Sequence, residues 1–251
     1  MEFAEAIQTL LNGCMLDGRN IMHISHDEKS RSPPEPPQNK PLALPAANKN
    51  NDAVYAYLQG RGIDKGIIKR CIANGSLYEA AKTHHCVFIG FDGDKPKYAC
   101  MRGITGNLKQ DARNSDKRYG FLLPPKNPDS RNLAVLESPV DVLSHATVYE
   151  IGSYDWDGYR LSLGGVSPLA LRAFLERHGD IEHIYLSLDS DNAGKEATSR
   201  IIKELLTDKR FSHIKITIAP PPLGKDFNDT LQAIRETRLN QALPLNRSPE
   251  R

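Results

Sequence analysis

The sequence predicts an α/β protein: a compact, Rossmann-like parallel sheet with helices on both faces, preceded by a small basic α+β subdomain. Three observations predict it. From Leu133 onward, short apolar runs alternate with helical patterns, the signature of parallel strands joined by right-handed crossovers. Between about residues 52 and 130 the order differs, with two short helical patterns followed by strand-like runs. Finally, carboxylates recur where the apolar runs of the second part end, the edge at which open α/β sheets collect ligands.

Taken in order, Phe3, Ile7, Leu10 and Leu11 recur at helical spacing and Gly13 stops them, giving a short amphipathic helix. Six prolines between Ser30 and Pro45, among polar residues, predict an extended linker, so residues 1–50 read as an appendage. Val54, Tyr55 and Leu58 form one face of a helix ended by Gly60-Arg-Gly62. Asp64 can cap a second helix, with Ile67, Ile68, Cys71 and Ile72 inward and Asn74-Gly75 at its end. Cys86–Phe91 reads as a strand, Asp92-Gly93-Asp94 as a turn and Tyr98–Ile104 as the antiparallel partner. A further strand around Arg118–Leu123, closed by Pro124-Pro125, completes a basic subdomain over 51–130.

The second part, 131–235, reads as strand Leu133–Leu136, helix Pro139–Glu150 and strand Tyr159–Leu163 ending in Gly164-Gly165. A helix opened by Ser167-Pro168 follows, then strand 183–188, a helix from 192 to about 207, strand Ile214–Ile218 and a last helix from near Asn228. Residues 236–251 read as a tail.

Charge is balanced overall, 33 Lys+Arg against 31 Asp+Glu, but unevenly placed. Lys95–Arg118 has seven basic and two acidic residues, whereas Asn132–Leu206 has twelve acids and six bases. A basic strip beside an acidic domain suits a polyanion held near a cation site, although ordinary surface patterning has the same look. The four cysteines, Cys14, Cys71, Cys86 and Cys100, form no CxxC pair, so free thiols are expected and structural zinc is not. No apolar run approaches a membrane span and the first residues are acidic, so a cytoplasmic location without membrane partners is expected.

Asp189-Ser-Asp191 ends one apolar run before a long helix. Two acids so placed make an oxygen-only site for Mg²⁺, or else cap the helix that follows. Glu137 ends another run, where an acid gains nothing from burial. If these strands are neighbours, both acids stand at one edge, with Asp141 a helical turn beyond Glu137. Ser138-Pro-Val-Asp141 also has the form of a capping box, and Asp226 in Gly224-Lys-Asp-Phe-Asn-Asp229 also suits a turn.

Glu137-Ser-Pro-Val-Asp141, Gly164-Gly165, Asp189-Ser-Asp191-Asn-Ala-Gly194 and Gly224-Lys-Asp226, in that order after successive strands, resemble the Toprim domain of bacterial primases, topoisomerases and some nucleases. The resemblance covers about 131–235. It implies metal coordination and acid–base work by Glu137, Asp189 and Asp191, with Asp141 and Asp226 assisting and Mg²⁺ or Mn²⁺ as cofactor. Tyr57–Ile63, the strands around Gly90–Arg102 and Arg113–Phe121 are similar to the basic subdomain preceding Toprim in primases, and the whole resembles primase-like Toprim proteins of plasmids and mobile elements. By matching motif, Arg102, Arg113, Lys117 and Arg118 would hold single-stranded template and nucleotide triphosphate, and Lys225 would approach phosphate from the Toprim side.

Two departures stand out: the cysteine set of the zinc-binding module that opens such primases is missing, and Asn228 stands where replicative primases often have another Asp. The expectation is a metal-dependent nucleotidyltransferase making short RNA primers on single-stranded DNA from ribonucleoside triphosphates, with a replicative helicase as possible partner. A Toprim nuclease using the same acids, or a non-catalytic single-strand-binding accessory, are the alternatives; a topoisomerase is the least expected of the catalytic options, because the sequence shows no convincing nucleophilic tyrosine domain.

Overall fold

In the computed structural model, residues 40–242 are described. The amphipathic helix expected near Phe3–Leu11 lies outside them, as do most of the proline-rich segment and the last nine residues.

Helix α1 (Asp52–Gly60) and helix α2 (Lys65–Ala73) open the body. Asn51, at the start of α1, gives no side-chain cap; the buried carboxylate of Glu79 accepts from the Ala53 and Val54 amides instead. Asp64 caps α2 as expected, accepting from the amides of Gly66 and Ile67. A four-stranded antiparallel sheet follows in the order β1 (Leu77–Glu79), β2 (Cys86–Asp92), β3 (Lys95–Arg102), β4 (Lys109–Asp111). The partner of β2 begins and ends earlier than the expected Tyr98–Ile104, and β1 and β4 are not among the expected strands. Each of those two is only three residues long, too short to display alternation.

The second sheet has the order β5 (Leu122–Leu123), β7 (Tyr159–Ser162), β6 (Asn132–Leu136), β8 (His183–Leu186), β9 (Lys215–Ile218). Strands β7, β6, β8 and β9 are parallel, and β5 is an antiparallel edge. The strand expected around Arg118–Leu123 is thus shorter and belongs to this sheet. Gly120 permits that approach, since a Cβ there would lie 2.0 Å from the Ser162 carbonyl oxygen. The crossovers are α3 (Pro139–Gly152), α4 (Leu169–Arg177) and α5 (Asn192–Thr207), with a 3₁₀ turn at Lys209–Phe211, and α6 (Phe227–Ala242) follows β9. Helix α6 continues beyond residue 235, where the sequence reading had begun a tail.

Strand β6 shows how the layers form. Ala134 and Leu136 face a core shared with α1, α2, α3 and α6, while Leu133 and Val135 face a second core under α4 and α5. The parallel sheet therefore has helices on both faces, and the first core also receives Cys86 and Phe88 from β2. The basic subdomain and the parallel sheet are joined through this common core rather than through a polar linker. Phe88 and Phe121 meet edge-to-face within it, centroids 5.3 Å apart.

Residues 40–50 depart from the appendage reading. Leu42 packs on a small third core with Val87, Ile89 and Ala99. Ala47 bridges Ala80, and the Tyr78 hydroxyl donates to the Pro45 carbonyl at 2.7 Å. Prolines leave these residues extended, and an extended segment can lie along a sheet as readily as span a gap.

Candidate active site

The carboxyl edge of the parallel sheet is built by three strand-to-helix turns. After β6 comes Glu137, then Ser138, whose hydroxyl accepts from the Asp141 amide and donates to its carboxylate at 2.6 Å. After β8 come Asp189 and Asp191, and Asp191 caps α5 by accepting from the Gly194 amide at 2.9 Å. After β9 comes Asp226, whose carboxylate accepts from the Asp229 amide in the first turn of α6 at 2.8 Å. The capping reading and the shared-edge reading are therefore both true of these acids. Three helix N-termini converge on the same rim, and their positive ends temper the negative charge collected there.

The turns are held together across the sheet. The Asp189 amide donates to Glu137 Oε1 at 3.2 Å. The Glu137 carbonyl accepts from the Gly165 amide at 3.0 Å and from the Ser162 hydroxyl at 3.3 Å. Gly164 and Gly165 have positive φ, +64° and +133°, so the loop after β7 needs glycine to turn beneath Glu137. Gly194 is required differently: a Cβ there would lie 2.1 Å from the Asp189 carbonyl oxygen and 2.9 Å from Glu137 Oε1.

Crowding shows in the protonation equilibria. Burial, then the charge of Asp189, pushes Glu137 up to about 7. Burial, then Asp226, does the same to Asp141, also to about 7. Asp189 is raised as well, by burial and then Asp226. Asp191 behaves oppositely, lowered by the Gly194 amide and then by Lys225.

Lys225, half-exposed, is paired with two of the acids. Its Nζ lies 3.1 Å from Asp191 Oδ2 and 3.5 Å from Asp189 Oδ2, and the loop is fixed by a 2.8 Å bond from the Ser190 amide to the Lys225 carbonyl. An ammonium thus stands between two of the acids expected to bind metal.

A cavity of about 260 Å³ lies between this rim and the antiparallel sheet. Glu137, Asp141, Asp189 and Asp226 line one side, and Arg61, Arg102 and Lys109 the other. Asp191 does not line it. Of the cationic residues expected from the sequence, only Arg102 does, its Nε donating to the Tyr57 hydroxyl at 3.3 Å. Lys117 is paired with Asp111 at 2.8 Å, Arg118 is clamped by Asp116 at 2.6 Å, and Arg113 is exposed elsewhere. A carboxylate two residues away takes up Arg118, a local pairing that a count of basic residues ignores.

Arg61 was missed as a site residue because it read only as the end of α1. Its Nη1 donates to Asn228 Oδ1 at 2.6 Å, and Asn228 Nδ2 donates to the Arg61 carbonyl and to the Ser144 hydroxyl, both at 3.0 Å. Asn228 is a buried amide joining α1, α3 and α6, and it lines the cavity beside the acids.

The oxygen-only donors and their uncompensated charge fit a hard divalent cation. Among the described residues, however, no three carboxylate, histidine or cysteine side chains are already gathered as a metal site. The acids share the rim but stand apart, with Lys225 supplying part of the countercharge.

A parallel sheet whose acidic carboxyl edge faces a cationic sheet across a cavity defines the class: an α/β domain built around paired acids, fused to a basic accessory sheet. Comparison with known proteins shows what the two parts resemble. Residues 134–231 match the family model described as Toprim-like, and residues 56–127 match one described as a protein of unknown function. Residues 134–231 are thus similar to Toprim-like domains, and the fold is primase-like.

An uncharacterized protein of Bacillus anthracis is 33% identical over 168 residues, which are 60% of this chain and 47% of that one. The chain thus matches about half the length of that relative. The primase fragment of the bacteriophage T7 primase-helicase protein superposes with a TM-score of 0.52 at 20% identity, covering 82% of this chain and 83% of that one. A chain from a structure of the T7 lagging-strand DNA polymerase interacting with primase domains of two gp4 subunits bound to an RNA/DNA hybrid and dTTP has a TM-score of 0.51. There the identity is 17%, with 73% of this chain and 87% of that one covered. At these identities the likeness is one of fold.

Proposed function

We propose that this protein is a metal-dependent, primase-like nucleotidyltransferase that makes short RNA primers on single-stranded DNA, in the replication of a plasmid or other mobile element. The observation that carries the reading is the cavity with acids on one wall and Arg61, Arg102 and Lys109 on the other. Cations bind the phosphates of template and ribonucleoside triphosphate. Glu137 and Asp189 would hold Mg²⁺ or Mn²⁺, with Asp226 and Asp191 adjoining and Asp141 supporting through Ser138. Such an ion, when bound, supplies stabilisation of charge on phosphoryl oxygens. Glu137, in the cavity wall, is the group proposed to receive the proton of an attacking 3′ hydroxyl. In that reaction the hydroxyl oxygen bonds the α-phosphorus and pyrophosphate leaves.

The test is incubation with single-stranded DNA, ribonucleotides and Mn²⁺. Oligoribonucleotides are expected from the wild type and none from Asp189→Asn. Cleavage of the DNA without any triphosphate would instead identify a Toprim nuclease, and absence of both activities across varied templates would overturn the catalytic reading.

One observation favours a second reading, a non-catalytic single-strand-binding protein of replication: Lys225 already compensates Asp189 and Asp191. That reading predicts salt-sensitive binding undiminished by Glu137→Gln, with no turnover.

A further inference from the structure

Arg160, the second residue of β7, lies at the amino end of the parallel strands, the opposite rim from the acids. It is 7% exposed, and among the described residues no carboxylate pairs with it. Its Nε donates to His145 Nδ1 at 3.0 Å, and His145, buried and held neutral, offers a lone pair but no charge. The guanidinium lies 4.5 Å over the Trp156 ring and 5.9 Å over that of Tyr149. Ring faces moderate a buried cation without neutralising it, and burial lowers Arg160 to about 10. The outer guanidinium nitrogens have no hydrogen-bond acceptor among the described residues.

Beside Arg160 is a cavity of about 680 Å³ with Arg70 and Lys126, both exposed, also in its wall. Its acids are largely engaged. Asp157 accepts from the backbone amides of Lys126 and Asn127 at 2.9 and 2.7 Å, and Glu150 pairs with Lys126 at 2.7 Å. Asp155 is exposed. Asp157 and Glu150 act on Arg160 across the cavity without touching it, and a buried cation with no anion in contact gains from one that completes it.

We propose that this cavity is a binding site for a phosphate-class anion, either inorganic phosphate or the phosphate of a nucleotide, held by Arg160 with Arg70 at its mouth. Guanidinium forks match phosphate oxygens in pairs, which suits the two outer nitrogens of Arg160. The site is separate from the acidic rim and does not depend on the function proposed for that rim.

Trp156 is the one tryptophan in the 251 residues, so its fluorescence reports on this cavity alone. The experiment titrates the full chain, in metal-free buffer, with inorganic phosphate and separately with adenosine monophosphate, read by tryptophan fluorescence and by calorimetry. A saturable response to at least one ligand is expected, with a dissociation constant of about 1 mM or tighter. Arg160→Met should weaken it at least about tenfold, the scale of a lost charge-assisted pair. If circular dichroism shows that variant to be misfolded, the mouth variant Arg70→Gln, which alters only an exposed side chain, should weaken binding about threefold or more. Tighter binding of the nucleotide identifies nucleotides as the ligand, and equal binding identifies free phosphate. No saturable response to either ligand up to about 10 mM, or a response undiminished in the folded variants, would overturn the proposal.

Discussion

The amide of Asp189 donates to the carboxylate of Glu137 across 3.2 Å, joining residues 52 positions apart at the mouth of one cavity. The bond depends on β6 and β8 being direct neighbours in parallel register, Val135 opposite Leu186. It also depends on α5 entering at Gly194, where no side chain intervenes. Two acids are thereby held at one edge although their charges oppose each other, so the arrangement stores electrostatic cost at the site.

That cost is measurable. The folded-state pKa of Glu137, about 7, lies above its ordinary 4.5. Its protonated form is therefore favoured by folding: the contribution is complete below about pH 4.5 and is lost as pH rises through about 7. Glu137→Gln keeps an acceptor for the Asp189 amide and removes the charge. In metal-free buffer at pH 8 this variant should be more stable than the wild type by about 1–2 kcal/mol, discounted for the half-buried setting, with the gain vanishing near pH 4.5. Thermal melts of both proteins across that range check it. The histidines with lowered pKa values titrate alike in the two proteins and cancel in the difference.

Gly194 supplies a steric test of the same joint. Gly194→Ala would set its Cβ 2.1 Å from a backbone oxygen that cannot swing aside as a flexible side chain could. A loss of about 2 kcal/mol or more is expected, in the range of other overpacked positions. Gly179→Ala is the control, since nothing stands within 4 Å of a Cβ there, and its stability should stay within about 0.5 kcal/mol of the wild type. Chemical denaturation of the three proteins decides the matter.

These residues also mark how far the sequence could be read. The strands from β6 to β9 and their crossovers were legible because each alternates an apolar run with a helical period, and the acids stood visibly at the run ends. Strand β5 was assigned to the wrong sheet, because two leucines before Pro124-Pro125 do not name their partner. Residues 40–50 were taken for linker, because proline content reports extension but not what the extended chain lies against. The capping geometry of Ser138 and Asp191 was readable from spacing. The cationic wall was harder to place: motif matching gave Arg102, Arg113, Lys117 and Arg118, whereas folding keeps Arg102 there, brings Arg61 from the end of α1 and leaves Arg118 clamped by Asp116. A charge's partner is set by tertiary position, and a linear count does not contain it.

The cationic wall therefore separates folded geometry from linear count. If single-stranded DNA lies across the cavity, Arg102→Ala and Lys109→Ala should each weaken binding and each reduce the slope of log affinity against log salt by about 0.7. Arg118→Ala should leave the slope unchanged, because the carboxylate of Asp116 already occupies its guanidinium at 2.6 Å. Fluorescence anisotropy of a labelled oligonucleotide over a salt series measures all three. Loss of slope on Arg118→Ala with none on Arg102→Ala would place the nucleic acid outside the cavity.

Lys225 poses the sharpest question about metal. Its ammonium is 3.1 Å from Asp191 and 3.5 Å from Asp189, and those bonds in turn raise its own pKa, Asp191 first and Asp189 next. A divalent cation entering between Asp189 and Glu137 must either displace this ammonium or tolerate its repulsion at short range. Removing the charge should ease entry either way. Lys225→Met keeps much of the aliphatic stem and lacks the ammonium, so its affinity for Mn²⁺ should rise about threefold to tenfold over the wild type at low ionic strength, with the difference shrinking as salt is added. Calorimetric titration with Mn²⁺ alone measures this without reference to any catalytic activity. A fall in affinity would mean that Lys225 positions the acids for the ion rather than competing with it, and the pair would then be part of the metal site's scaffold.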